Sequence, residues 1–114
     1  MPHFVIDCSE NILRLNSPEE ILREVHDTAD ATGLFKKGDI KVRIRVFEYY
    51  NVGNTKSDFI HIFGNIMEGR TTEQKADLSK QIVSKLKSMF PDVPVISMNI
   101  SDFERATYCN RNLI

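Results

Sequence analysis

The sequence predicts an α+β fold, two strand–helix–strand halves sharing one four-stranded sheet with both helices on one face. Two stretches with apolar residues at helical spacing, each opened by a capping signal, are interleaved with four stretches of strand character. Parallel strand–helix–strand crossovers are nearly always right-handed, which puts both helices on the same side of the sheet. The 114 residues are ordinary for one domain, expected to span 1–114, and suffice for one hydrophobic core.

Residues 2–8 alternate around Phe4 and Ile6 and read as the first strand, and the mostly polar residues 9–16 read as a loop. Ser17-Pro18-Glu19-Glu20 is a helix start: Ser17 suits the N-cap, Pro18 the first turn, and Glu20 can complete a capping box. Ile21, Leu22, Val25 and Ala29 follow at helical spacing up to Gly33, placing this helix at about 18–32. Ile40, Val42, Ile44 and Val46 alternate with Lys41, Arg43 and Arg45, a strand with one apolar and one basic face. Asn51–Asn54 is a hairpin-type connection to a third strand at about 57–67. Gly69 breaks that strand. Thr71 with Gln74 can box the start of a second helix, whose stripe holds Leu78, Ile82, Leu86 and Met89 until Pro91. Residues 95–103 read as the fourth strand, and 104–114 show no clear pattern. In the third strand Phe59 and Phe63 fall on one parity and Ile60, Ile62 and Ile66 on the other. A sheet apolar on both faces must cover the second one, and self-association is the simplest cover.

Composition narrows the function classes. Fifteen Lys and Arg against 16 Asp and Glu leave a formal charge of -1, which argues against nucleic acid as a partner. No apolar run is long enough to span a membrane, and the start lacks the pattern of a secretory signal, so a cytoplasmic location is expected. Cys8 and Cys109 then read as free thiols. His3, His26 and His61 have no metal-site spacing, so no metal is expected.

Pro2 is the first candidate for chemistry. Removal of Met1, which small second residues permit, exposes a secondary amine. An α-amino group titrates at about 7.7 to 8.0, and burial beside cations lowers that toward the range of a good general base. A start of Met-Pro also arises with no functional meaning. Lys41, Arg43 and Arg45 on one strand face, with Arg70 beside a helix start, can form a carboxylate site, since arginine presents a fork to a carboxylate and helix starts favour anions. They can equally be a solvated face. Cys8 reads as a buried small side chain and His61 as a hydrogen-bonded strand residue. Asp58 and Asp102 can orient a neighbour, and Tyr49 and Tyr50 can line a pocket or cover the sheet end.

The opening from Met1 through Ile12 resembles the start of 5-carboxymethyl-2-hydroxymuconate isomerases, members of the tautomerase superfamily. The similarity continues through Ala31–Phe35, Ile40–Arg43 and Glu68–Thr71. The resemblance implies a homotrimer whose three sheets pack as a barrel. It also implies a cofactor-independent reaction, in which the terminal proline moves a proton along a dienol while basic residues hold a polycarboxylated substrate. That substrate comes from homoprotocatechuate breakdown. By position the resemblance makes Pro2 the base and acid and Arg43 and Arg70 substrate-binding, with Lys41 where arginine is usual. Lysine supplies charge without the fork, which leaves open a broader keto-enol tautomerase of another 2-hydroxydienoate or 2-oxo acid. A non-catalytic small-anion-binding module is a further alternative, because fold does not fix function.

Overall fold

The computed structural model describes residues 1–114. Strand β1 (His3–Ser9) is followed by a helical turn α1 (Ile12–Leu15), helix α2 (Pro18–Ala31) and β2 (Lys41–Phe47). The second half runs β3 (Phe59–Met67), α3 (Thr72–Met89) and β4 (Val95–Phe103). The sheet order is β2-β1-β3-β4. Within each half the two strands are parallel, and the halves meet through antiparallel β1 and β3.

The capping signals act as expected in α3 and by half in α2. The Thr71 hydroxyl accepts the Gln74 amide at 3.1 Å, and the Gln74 side chain accepts the Thr71 amide at 2.9 Å. Ser17 accepts the Glu20 amide at 3.2 Å, but Glu20 returns no bond. Helix α2 ends just before Gly33, whose φ of 74° suits the left-handed position after a helix. Residues 9–16 are not all loop. Ile12 is buried and Leu13 packs against the core, which draws α1 into a helical turn too short to show a period.

The core is one cluster between the sheet and the two helices. Phe4 and Ile6 of β1 and Ile60 and Ile62 of β3 meet Ile21 and Val25 of α2 and Leu78, Ile82 and Leu86 of α3. All are essentially inaccessible, and each such side chain contributes about 1.5–3 kcal/mol by leaving water. Gly64 lies in this packing because the Phe4 ring, Met98 and Ile100 occupy the space a side chain would need. An added Cβ would lie 2.9 Å from the Ile100 methyl.

Two expectations are corrected. Asn51–Asn54 does not join neighbouring strands. It forms a local turn in which Val52 and Thr55 exchange amide–carbonyl bonds of 3.0 and 2.9 Å, while β1 separates β2 from β3. The most apolar strands take the sheet centre, leaving β2 with its basic face at the edge. The second sheet face is also less apolar than Phe59 and Phe63 suggest. His61 bonds Ser97 and Asn99 there, both at 2.7 Å, and Arg45 grips Asp7 through two bonds of 2.6 and 3.1 Å. Only apolar patches remain, with Phe63 39% exposed.

Candidate active site

Topology brings four chain segments to one end of the sheet. Parallel pairing sets His3 opposite Lys41, so β1 and β2 begin together. Antiparallel pairing sets His3 opposite Asn65, so β3 finishes where β1 begins. Because β4 runs parallel to β3 and ends with Phe103 opposite Met67, the carboxy-terminal tail leaves from the same end. Pro2, Lys41, Arg70 and the tail therefore converge although they lie far apart in the chain.

Pro2 is buried, and its carbonyl accepts the Lys41 amide at 3.1 Å. The Met1 amine donates to the Asp39 carbonyl at 3.0 Å, and the Lys41 ammonium donates to that same oxygen at 2.6 Å. Two cations thus share one acceptor. Burial first, then the bond and charge of Lys41 and the charge of Arg70, bring the Met1 amine down from 8.0 to about 6, with Asp39 opposing. The strand end is consequently a place where a protonated amine is disfavoured.

Arg70 is fixed by its surroundings. Gly69, at φ 118°, turns the chain between β3 and α3. The Arg70 guanidinium then donates to the Leu34 carbonyl at 2.6 Å and to the Met67 carbonyl at 3.4 Å, and its centre lies 5.2 Å from the Phe35 ring. It makes no ion pair with any carboxylate of this chain, so its remaining donors are free for an anion. Two cavities flank it. One of about 430 Å³ is lined by Met1, Gly33, Leu34, Phe35 and Asp39 as well as Arg70. The other, of about 490 Å³, lies between Met1, Met67 and Arg70 on one side and Arg105, Tyr108 and Asn110 on the other.

Arg43 is set apart from this centre. It lies exposed on the open sheet face, 3.1 Å from Nδ1 of His3, and lines neither cavity. Burial, then Arg43, Lys41 and the amino terminus, lower the His3 pKa below its usual 6.5, which leaves the ring neutral and able to accept from Arg43. Arg45 is committed to Asp7.

The other singled-out residues have structural roles. Cys8 is fully buried, and burial with the charges of Asp7 and Asp58 pushes its thiol up to about 11, so it is no nucleophile near neutral pH. Asp58 accepts from Ser9 and Asn11, both at 2.8 Å, and ties α1 to the sheet, while Asp102 pairs with Lys75 at 3.1 Å. Tyr50 packs edge-on against Phe59, whereas Tyr49 is 86% exposed. No group of three or more His, Cys, Asp or Glu side chains is arranged to hold a metal ion. No helix is long and apolar enough to cross a membrane.

The residues that sequence reasoning missed are Arg105 and Tyr108. The tail folds back: the Arg105 amide donates to the Glu68 carboxylate, an Arg105 guanidinium nitrogen lies 3.4 Å from the Glu68 carbonyl, and the Tyr108 ring packs 5.8 Å from that of Phe103. The signal that was available is an arginine and a tyrosine three residues apart just after the last strand, too slight to interpret without the sheet order.

Comparison with known proteins places this geometry. The chain is 26% identical over 92 residues to the 5-carboxymethyl-2-hydroxymuconate Delta-isomerase of Escherichia coli, covering 79% of this chain and 73% of that protein. Its fold matches a 5-carboxymethyl-2-hydroxymuconate isomerase from Deinococcus radiodurans R1 with a TM-score of 0.84 at 22% identity, covering 96% of this chain and 88% of the other. A fused 4-OT solved as a symmetric trimer matches with a TM-score of 0.80 at 11% identity, covering 96% and 92%. The pattern of 5-carboxymethyl-2-hydroxymuconate isomerases matches residues 2–114, and the chain belongs to that family.

Proposed function

We propose that this chain is a cofactor-independent isomerase that shifts a carbon–carbon double bond in 5-carboxymethyl-2-hydroxymuconate, with Pro2 as the proton carrier. The observation that supports it most is the electrostatics at the start of β1, where burial, Lys41 and Arg70 hold an amine well below its ordinary pKa. Met1 lines both cavities beside Arg70. Its excision would free the Pro2 nitrogen and open the two cavities to one another, with the new amine at their junction.

In this reading the neutral Pro2 amine accepts the proton of the dienol hydroxyl and then donates it to a carbon farther along the conjugated chain. The hydroxyl carbon becomes a carbonyl and the double bond moves, with no net gain or loss of protons or electrons. Arg70, preset by Leu34, Met67 and Phe35, binds a substrate carboxylate and faces the negative charge that develops on the dienolate. Lys41 keeps the amine neutral and adds positive field. Arg43 contributes from the open face, through His3 or to a more distant substrate group. Three subunits packed through their open sheet faces would cover Phe63, in keeping with the trimeric fused 4-OT.

Lys41 favours a second reading, a broader keto-enol tautomerase of 2-oxo acids. Its ammonium is already bound to the Asp39 carbonyl and has no fork for a carboxylate. One experiment tests both. Intact mass establishes whether Met1 is removed, and ultraviolet absorbance follows turnover of 5-carboxymethyl-2-hydroxymuconate and of phenylpyruvate enol by native protein and Pro2→Ala. Turnover of the muconate that Pro2→Ala largely abolishes is the expected result. Turnover of the simple enol alone supports the second reading. A correctly processed protein inactive on both would favour a small-anion-binding module.

A further inference from the structure

The cavity between Arg70 and the tail is built for more negative charge than Arg70 alone can satisfy. The guanidinium groups of Arg70 and Arg105 hang on consecutive backbone carbonyls, those of Met67 and Glu68. Arg105 forms no ion pair, and its single 3.4 Å contact is long, so nearly all its donors are uncommitted. The neighbouring Glu68 carboxylate is turned away to the Arg105 amide. No acidic residue lines this cavity. The Tyr108 hydroxyl accepts from Asn110 at 3.4 Å, which leaves its own proton free to donate.

We propose that residues 105–108 form a second carboxylate subsite, in which the Arg105 fork and the Tyr108 hydroxyl receive the carboxylate farthest from the reacting end of the substrate. The subsite makes the enzyme selective for di- and tricarboxylates over monocarboxylates, and it rests on the proton-transfer reading above. The tail reaches this position through two independent anchors, the Glu68 bonds and the tilted packing of Tyr108 on Phe103. An extended polycarboxylate would lie with one end on Arg70 and the other on Arg105, and the Pro2 amine beside the conjugated chain between them.

The test compares kcat/KM of native protein, Arg105→Ala, Arg105→Lys and Tyr108→Phe on 2-hydroxymuconate, a dicarboxylate, and on phenylpyruvate enol, a monocarboxylate. Losing one charge-assisted fork lowers kcat/KM for the dicarboxylate roughly 10- to 100-fold in Arg105→Ala, through both KM and kcat. The loss on the monocarboxylate is smaller by tenfold or more, and Arg105→Lys falls between native and Ala. Melting temperatures show that the tail variants remain folded. If Arg105→Ala unfolds, the Lys and Phe variants carry the same comparison. Equal losses on both substrates, or none, in folded protein overturn the subsite while leaving the Pro2 reading intact. A native protein that turns over neither of these substrates nor 5-carboxymethyl-2-hydroxymuconate overturns both.

Discussion

Replacing Arg70 is the most informative single perturbation, because its anchoring and its proposed chemistry separate in different measurements. The 2.6 Å bond from a charged donor to the Leu34 carbonyl is worth about 1.5 kcal/mol, and stacking on Phe35 about 0.5–1 kcal/mol. The 3.4 Å contact with Met67 adds little, and water entering the open cavity rehydrates the abandoned carbonyls. Arg70→Ala is therefore expected to cost about 1–2 kcal/mol, a fall in Tm of roughly 4–8 °C, and to remain folded at 25 °C. Its effect on catalysis is larger. A preorganised donor facing the developing charge is worth about 3 kcal/mol, so kcat/KM should fall about 100-fold, in kcat as much as in KM. Arg70→Lys keeps the charge but loses the fork and the stacking, and should recover about tenfold of that loss. The assay is ultraviolet turnover of the muconate at 25 °C beside a melting curve. An Arg70→Ala protein within about threefold of native kcat/KM would refute the assignment of Arg70 to the substrate.

Other perturbations reach different links in the chain. Removing a neighbouring cation raises the pKa of the amine toward its ordinary value, so Lys41→Gln should move the acid limb of the kcat/KM profile to higher pH; an unmoved limb would detach Lys41 from Pro2. Gly69→Ala forces a side chain into φ 118° immediately before Arg70, and should cost about 1–3 kcal/mol by denaturant titration together with lost activity. Cys8, with its thiol at about 11 and fully buried, should resist iodoacetamide at pH 8 while the exposed Cys109 reacts, so native protein takes one equivalent by mass and unfolded protein two.

What could be read from the sequence was local. The alternation in β2 and the Thr71–Gln74 box depend on neighbours in the chain, and both appear where their spacing puts them. The hairpin reading failed because Asn51–Asn54 does form a tight turn, and nothing local reveals that β1 lies between the strands it connects. The helical turn at Ile12 escaped for a related reason, since four residues are too few to show a period. Of the basic set, Lys41 and Arg70 meet at the amino terminus, whereas Arg43 faces His3 and Arg45 pairs with Asp7, partners defined by strand register. The tail is the extreme case, because each of its anchors, Glu68 and Phe103, depends on where another strand ends.

The strand order also explains why the candidate site lies at one end of the sheet. Two parallel pairs joined by an antiparallel seam place the starts of β1 and β2 beside the ends of β3 and β4. Cations can therefore be gathered around an amino terminus from three separate segments, none of which has to sacrifice core packing. The apolar positions of β1 and β3 face the helices, and the charged groups lie past the last core layer, at Lys41, Arg70 and Arg105. Burial at the core edge lowers the pKa of the amine, and the same edge leaves the guanidinium groups open to a solvated anion. A substrate bridging Arg70 and Arg105 would replace that water and raise the local field on the dienolate, which couples recognition of the distal carboxylate to proton transfer at Pro2. If the subsite is real, shortening the substrate by its distal carboxylate should therefore lower kcat as well as raise KM in native protein, and Arg105→Ala should erase that difference.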